Sequence, residues 1–378
     1  MNTPANSPAP AVATPKAPKA RIAVWDNARF VLILLVVVAH VVSTVRTQTD
    51  LGYGLYTFIY LFHMPAMIAL SGLFSKADAS PRAARSTLQL LVTWVTWETI
   101  WAFIHFFASG RGLPESWLIA PAWTLWFLVT LATMRILLPY IVRLRHPLLF
   151  SILLALAAGL SPVIGTQFSA SRTLCFMPFF VAGWLAMNRG WFKGDWFARP
   201  KAGTRIVAAA LLAVLAAAVA ILAPLRKEWR IDTWLVWRDD YAWLFDHAPV
   251  LGWAPGEWWA IALGGSGMRL GFLAVAAAMT LALLLLVPRG HSIITVWGTR
   301  TLYVYLLHGP IVAYLRASGA VEWFGGFGAA GVVMLIAVGI AITLVLSLGW
   351  AARLFRPVIE PRLEAFFARD VEPAPARG

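Results

Sequence analysis

Charge is scarce in this sequence: Asp, Glu, Lys and Arg together make up 13% of 378 residues, against 60% that are hydrophobic. A water-soluble domain of this length cannot hide that much apolar surface in one core, so a soluble globular chain is excluded. Cysteine is nearly absent, and the lone Cys175 rules out an intrachain disulfide. Acids are few, 17 against 31 Lys and Arg. In a soluble protein the resulting +14 would point to nucleic acid; at a mean hydropathy of +0.73 it points instead to charge sorted across a bilayer. No Walker A loop, Gly-x-Ser-x-Gly elbow or His-Glu-x-x-His motif occurs. The seven histidines (His40, His63, His105, His146, His247, His291 and His308) do not fall at metal-ligand spacings, so no metal is expected. Period-two alternation over ten-residue segments is missing too, which argues against a β-barrel.

What the sequence does have is repeated apolar runs, as at 30–45, 148–161, 206–224, 270–288 and 331–350. They approach the ~20 residues that cross a bilayer as a helix. The expected fold class is all-α, a polytopic transmembrane bundle of about ten helices at 22–46, 54–75, 85–108, 121–142, 147–166, 171–188, 204–224, 258–287, 295–315 and 328–352. Residues 1–20 lack an apolar stretch of their own and read as a disordered tail rather than a cleaved signal; 21–353 form the membrane domain and 354–378 a second tail. With the N-terminus inside, the inner segments carry 19 Lys and Arg and the outer ones seven, which places both termini in the cytoplasm. The longest outer loop, 225–257, holds Asp232, Asp239, Asp240 and Asp246 among many tryptophans. It reads either as interfacial padding or as a carbohydrate-binding surface. No internal repeat of the kind many transporters carry is visible.

Ionisable side chains are costly in hydrocarbon, so each one inside a span is a functional candidate. The first helix carries Asp26, Arg29 and His40. Eleven residues at ~100° each bring His40 to within about 20° of Arg29, and Asp26 lies about 40° to the other side of His40. All three share one face, with His40 about 16 Å further along the helix than Arg29. That stripe is either an interfacial ion pair with a packing histidine, or the wall of a cavity. In the second helix Phe62-His63-Met64-Pro65 precedes Ser71-Gly72. His63 either satisfies backbone that proline frees or faces a ligand. Glu98 falls near the middle of the third helix, with Trp94, Trp101 and His105 close to its face, and either pairs with a base or stays protonated. Arg82 and Arg85, three apart at the start of that helix, can grip one anion or simply follow the inner-loop charge bias. Arg172 and His308 stand near the ends of their helices with no role fixed.

Taken in order, these motifs resemble the acyltransferase-3 membrane family, and within it the fucose 4-O-acetylase-like branch. The resemblance rests on Arg29 followed after ten residues by His40; on Phe62-His63-Met64-Pro65 with Ser71-Gly72; and on Arg82-x-x-Arg85. Trp126-Phe127-Leu128, Pro178-Phe179-Phe180 with Gly183, and Tyr305-Leu306-Leu307-His308 extend it over about 22–352. It implies an acyl-CoA donor, usually acetyl-CoA, reaching the site from the cytoplasm, with no permanently bound cofactor. The implied acceptor is a hydroxyl on a sugar, glycolipid or polysaccharide. The resemblance puts the catalytic histidine at His40 with Arg29 in support, and the CoA end at Arg82 and Arg85. Asp26 precedes Arg29, where the family commonly has an acid after it. No fused soluble domain follows the last helix, so handover to the acceptor is expected within the membrane part.

The residues agree with that chemistry. A thioester is already activated, so the protein has to supply position and remove a proton from the attacking hydroxyl. A neutral imidazole at His40 suits the second task, with Glu98 orienting a histidine or relaying its proton. His63, Asp26 and His308 are the expected acceptor-side contacts. The expectation is therefore a multi-pass plasma-membrane O-acyltransferase among membrane lipid, with no nucleic-acid partner. The alternative is a proton-coupled transporter of a sugar-linked or acidic solute, which the buried Arg, His and Glu would equally serve.

Overall fold

The computed structural model describes residues 22–78, 80–109 and 117–361. The tail expected over 1–20, Arg21, Arg111 and the segment beyond 361 lie outside the described residues. Secondary structure is helical throughout, apart from isolated bridges of Trp229 and Trp253 with Val250. Each of the ten expected spans holds a helix, and seven are long and apolar enough to cross a membrane; Trp126–Ile141 and Pro147–Ala157 are shorter apolar helices.

Helix α1 (Ala23–Val42) sits at the centre of the bundle. It is apolar almost all round, and Ala28, Leu32, Ile33, Val37, Ala39, Val41 and Val42 are fully buried, as a helix surrounded by helices requires. The expected second span is two helices, α2 (Asp50–Tyr60) and α3 (His63–Leu73). They part where Phe62 leaves helical geometry at φ −142°, ψ −17°. Pro65 has no N–H to give Leu61, and its ring crowds that carbonyl, so the helix breaks one turn earlier. The chain continues through α4 (Pro81–Ser109), α5 (Trp126–Ile141), α6 (Pro147–Ala157), α7 (Ala170–Asn188), the single turn α8 (Asp195–Ala198) and α9 (Ala202–Leu222). α9 is the opposite of α1: of its residues only Ala208 is buried, and Val207 and Ile221 are 70% and 75% exposed. Such a surface belongs against lipid.

The long outer loop folds. It forms α10 (Ile231–Trp234) and α11 (Tyr241–His247), and Trp234, Tyr241, Leu244, Phe245 and Ala248 make a small core of their own. The padding reading therefore covers only its rim, where Trp253, Trp258 and Trp259 stay exposed. Asp232 anchors this cap. Its carboxylate is fully buried, held by Arg46 Nε at 2.9 Å and by Arg230 at 2.9 and 3.1 Å. Burial alone would push the Asp232 carboxyl up, but the hydrogen bonds and charges of Arg230 and Arg46 outweigh it and hold it below the usual carboxylate range.

Beyond the cap run α12 (Trp258–Leu286), α13 (Ile293–Gly298), α14 (Thr301–Ala317), α15 (Ala320–Gly325), α16 (Gly328–Leu346) and α17 (Gly349–Ile359). The expected ninth span is thus broken at Arg300, and the tenth stops at Leu346 before α17 carries on through Arg353. Close approach between helices depends on small residues, as is usual where lipid removes the hydrophobic drive to associate. At the α3–α7 crossing a Cβ on Gly72 would stand 2.1 Å from the Phe180 carbonyl oxygen, and one on Gly183 2.1 Å from that of Ala69. The two backbones touch there, which gives both glycines of the sequence motifs a packing reason.

Candidate active site

A cavity of about 250 Å³ opens beside the last turns of α1. His40, Ser43 and Arg46 line it from α1 and the turn after it, Tyr56, Tyr60, His63 and Met67 from α2 and α3, Trp123 and Thr124 from the turn before α5, and Trp126 and Phe127 from its start. Arg172 and Phe176 of α7, Tyr305 of α14, and Leu235, Val236 and Arg238 of the outer cap complete it. A second, smaller cavity of about 120 Å³ holds Arg29, with Leu70, Ser71, Thr301 and Leu302. The two share Met67, Phe127 and Tyr305 as walls. The polar stripe expected on α1 thus faces two adjoining cavities, His40 on one and Arg29 on the other. Asp26 is buried and paired with Arg29 at 2.9 Å, and Arg29 also lies over the Phe74 ring at 4.7 Å.

His40 is held from behind. Its Nδ1 lies 2.9 Å from Nε2 of His308, and the Nδ1 of His308 lies 3.0 Å from the Val304 carbonyl oxygen. A carbonyl only accepts, so His308 carries its proton on Nδ1 and presents a bare Nε2. His40 must then donate from Nδ1, which leaves the lone pair on its Nε2 free. Two long-range contacts steady this turn: Arg316 Nη2 donates to the His40 carbonyl at 2.6 Å and to Ser43 Oγ at 2.5 Å, and its guanidinium lies 4.1 Å from the Trp123 ring centroid. Trp123 in turn packs on the His40 ring at 5.0 Å. His308 is fully buried behind His40 and is not in the lining, so its expected acceptor contact gives way to a positioning one.

His63 is tied to the backbone, but at the Ile59 carbonyl rather than at the Leu61 carbonyl that Pro65 frees. Its Nδ1 donates to the Ile59 carbonyl at 2.8 Å at the helix break, while its ring lines the cavity.

The sequence matches a family model, described as an acyltransferase domain, over residues 22–349. The chain belongs to the acyltransferase-3 family. No curated protein and no solved structure matches it. Family membership decides between the enzyme and transporter readings in favour of a membrane acyltransferase.

In this acyltransferase Glu98 does not reach a histidine by hydrogen bond among the described residues. Its Oε1 accepts from Trp94 Nε1 and from the Ala122 backbone N–H, both at 2.8 Å. The relay expected of it is replaced by a clamp on the segment that carries Trp123 and Thr124 into the cavity. Gln keeps an oxygen for the same two donors, whereas Ala leaves both unmet in a buried place. Glu98→Gln is therefore expected to retain acyl transfer to within about threefold, and Glu98→Ala to lose on the order of tenfold or more. A steady-state rate comparison of the two checks this; equal, severe losses would restore the relay.

Arg82 and Arg85 stand exposed at the start of α4, away from both cavity linings. Arg300, Arg353 and Arg356 line a shallow groove near the α17 end that packs on α4. The sequence reading missed Arg46, Arg238, Arg316 and Trp123. The first three counted only as outer charges, and nothing in their local pattern marks Arg46 and Arg238 as reaching the cavity or Arg316 as holding the turn that carries His40.

Proposed function

We propose that the protein moves an acetyl group from acetyl-CoA on the cytoplasmic side of the plasma membrane to a hydroxyl of a sugar or glycan on the far side, with His40 as general base. The observation that carries this is the free Nε2 of His40, fixed by the His308–Val304 chain and facing a cavity. In the step, Nε2 takes the proton of the acceptor hydroxyl as its oxygen attacks the thioester carbon. The C–S bond then breaks, and the thiolate recovers the proton from His40. The buried Thr124 hydroxyl, in the lining and without a hydrogen-bond partner among the described residues, is placed to donate to the oxygen that gains charge on the way.

The Arg29 cavity is where the acyl end of the donor would enter, with Arg82 and Arg85 meeting CoA phosphates at the inner surface. The side assigned to each cavity follows the Lys and Arg bias of the loops. His63 and the aromatic walls would bind the acceptor ring. This is the chemistry that the fucose 4-O-acetylase-like resemblance implies.

The test is radiolabelled acetyl-CoA with purified protein in proteoliposomes. The expected result is thiol release that rises when a sugar acceptor is added, with label appearing on the acceptor. Absence of both donor cleavage and transfer would sink the proposal.

A further inference from the structure

The cap side of the His40 cavity is rich in guanidinium. Arg46, Arg172 and Arg238 all line it, and no Asp or Glu does. Two of the three are answered from outside the lining. Arg46 meets Asp232 at 2.9 Å, although that carboxylate also serves Arg230, and Arg238 meets Asp239 at 2.8 Å. Arg172 is different. It forms no ion pair among the described residues. Its Nε donates to the Val236 carbonyl at 3.1 Å, and the guanidinium lies 4.8 Å from the centroid of the Trp126 ring. The stacking and the single Nε bond fix the plane of the group, while its two Nη nitrogens have no hydrogen-bond partner among the described residues.

A fixed, partly buried cation facing a cavity is costly unless something answers its charge. The guanidinium fork is also the side chain best shaped to take a carboxylate or phosphate in two parallel hydrogen bonds. We infer that the acceptor carries an anionic group, a carboxylate or a phosphate, and that the Nη nitrogens of Arg172 hold it. In a cavity of about 250 Å³ lined by both His40 and Arg172, that group and the reacting hydroxyl belong to the same sugar unit or to its neighbour. The inference rests on the acyltransfer reading above and adds the charge of the substrate to it. Arg46 and Arg238 strengthen the local field, and Tyr56 and Tyr60, stacked at 3.8 Å, offer a flat wall to the sugar ring.

The test uses purified enzyme, acetyl-CoA and three matched acceptors: para-nitrophenyl β-glucoside, the β-glucuronide and the β-glucoside 6-phosphate. The charged acceptors should be favoured at least tenfold in kcat/KM, and whichever of the two leads tells carboxylate from phosphate. Arg172→Gln should bring the ratio of charged to neutral close to one, while Arg172→Lys keeps part of it. A purely structural role for Arg172 would lower all three by the same factor and leave the ratio alone. Equal use of neutral and charged acceptors by the wild type, or an unchanged ratio in Arg172→Gln, overturns the inference.

A second readout is free of turnover. At matched ionic strength methyl glucuronide should raise the unfolding midpoint of the wild type in detergent more than methyl glucoside does, and Arg172→Gln should abolish the difference. Equal shifts in both proteins overturn the inference as well. Failure of acetyl-CoA cleavage altogether would count against the acyltransfer reading, whereas transfer without a charge preference counts against this one alone.

Discussion

His40→Ala is expected to slow acyl transfer by about a thousandfold, the middle of the range for losing a positioned general base. The loss should fall on kcat and leave the KM for acetyl-CoA near its wild-type value, because the donor contacts proposed above, Arg29, Arg82 and Arg85, are other residues. The variant should still fold. The His40 ring stands at the cavity edge, and water can replace it as donor to His308 Nε2.

The companion variants separate base from support. His308→Leu removes the acceptor that holds His40 in its tautomer, so it should cost less than His40→Ala but still on the order of tenfold or more. His308→Gln offers a carbonyl oxygen to His40 Nδ1 and should recover part of that loss. Full activity in His40→Ala would remove His40 from the mechanism. Equal activity in the leucine and glutamine variants would show that the tautomer is set by something else.

The second large effect is on stability. Gly183→Val places a branched side chain where even a Cβ would stand 2.1 Å from the Ala69 carbonyl oxygen and 3.1 Å from the Leu73 nitrogen. Backbone cannot turn aside as a side chain can, so α3 and α7 must separate by more than an ångström along a crossing that holds both Gly72 and Gly183. Overpacking typically costs about 1–3 kcal/mol and occasionally more; this position belongs at or above the upper end. The expected outcome is a large fall in the unfolding midpoint in detergent, or failure to purify as a single species. Gly271→Ala is the control, since nothing lies within 4 Å of a Cβ there and alanine is the better helix former. An unchanged midpoint for Gly183→Val would mean that the two helices are not packed as described. Activity should follow stability, because the same crossing presents His63, Met64 and Met67 to the cavity.

Much of this architecture can be read from the sequence because two signals in it are local. Apolar runs mark the spans, and a spacing of three and eleven residues puts Asp26, Arg29 and His40 on one face whatever surrounds them. The breaks at Phe62, Arg300 and Leu346 are less legible. Pro65 announces the first, but the others depend on how neighbouring helices pack. The site divides the same way. His40 stands out as an ionisable group inside a span, whereas its partner His308 lies 268 residues away and pairing at that distance leaves no local pattern. Glu98 is recognisable as a buried carboxylate, yet only the fold reveals that its donors are Trp94 and a loop amide. Arg46 and Arg238 look like ordinary loop charges until the cap folds back over the bundle, and Arg316 does until α14 packs beside the end of α1.

The wall shared by the two cavities has an electrical consequence. Met67, Phe127 and Tyr305 are one side chain thick, so at this place the insulating part of the membrane shrinks from a bilayer to a single layer of protein. On the proposed route the field is therefore concentrated where the two substrates meet, and yet the completed exchange does not sense it. The acyl carbon leaves sulfur as the equivalent of an acylium while the hydroxyl's proton takes its place there, so one positive equivalent passes outward for each that passes inward. Acceptor and donor each end with the charge they began with, and an energised membrane and a depolarised one should carry the transfer to the same equilibrium.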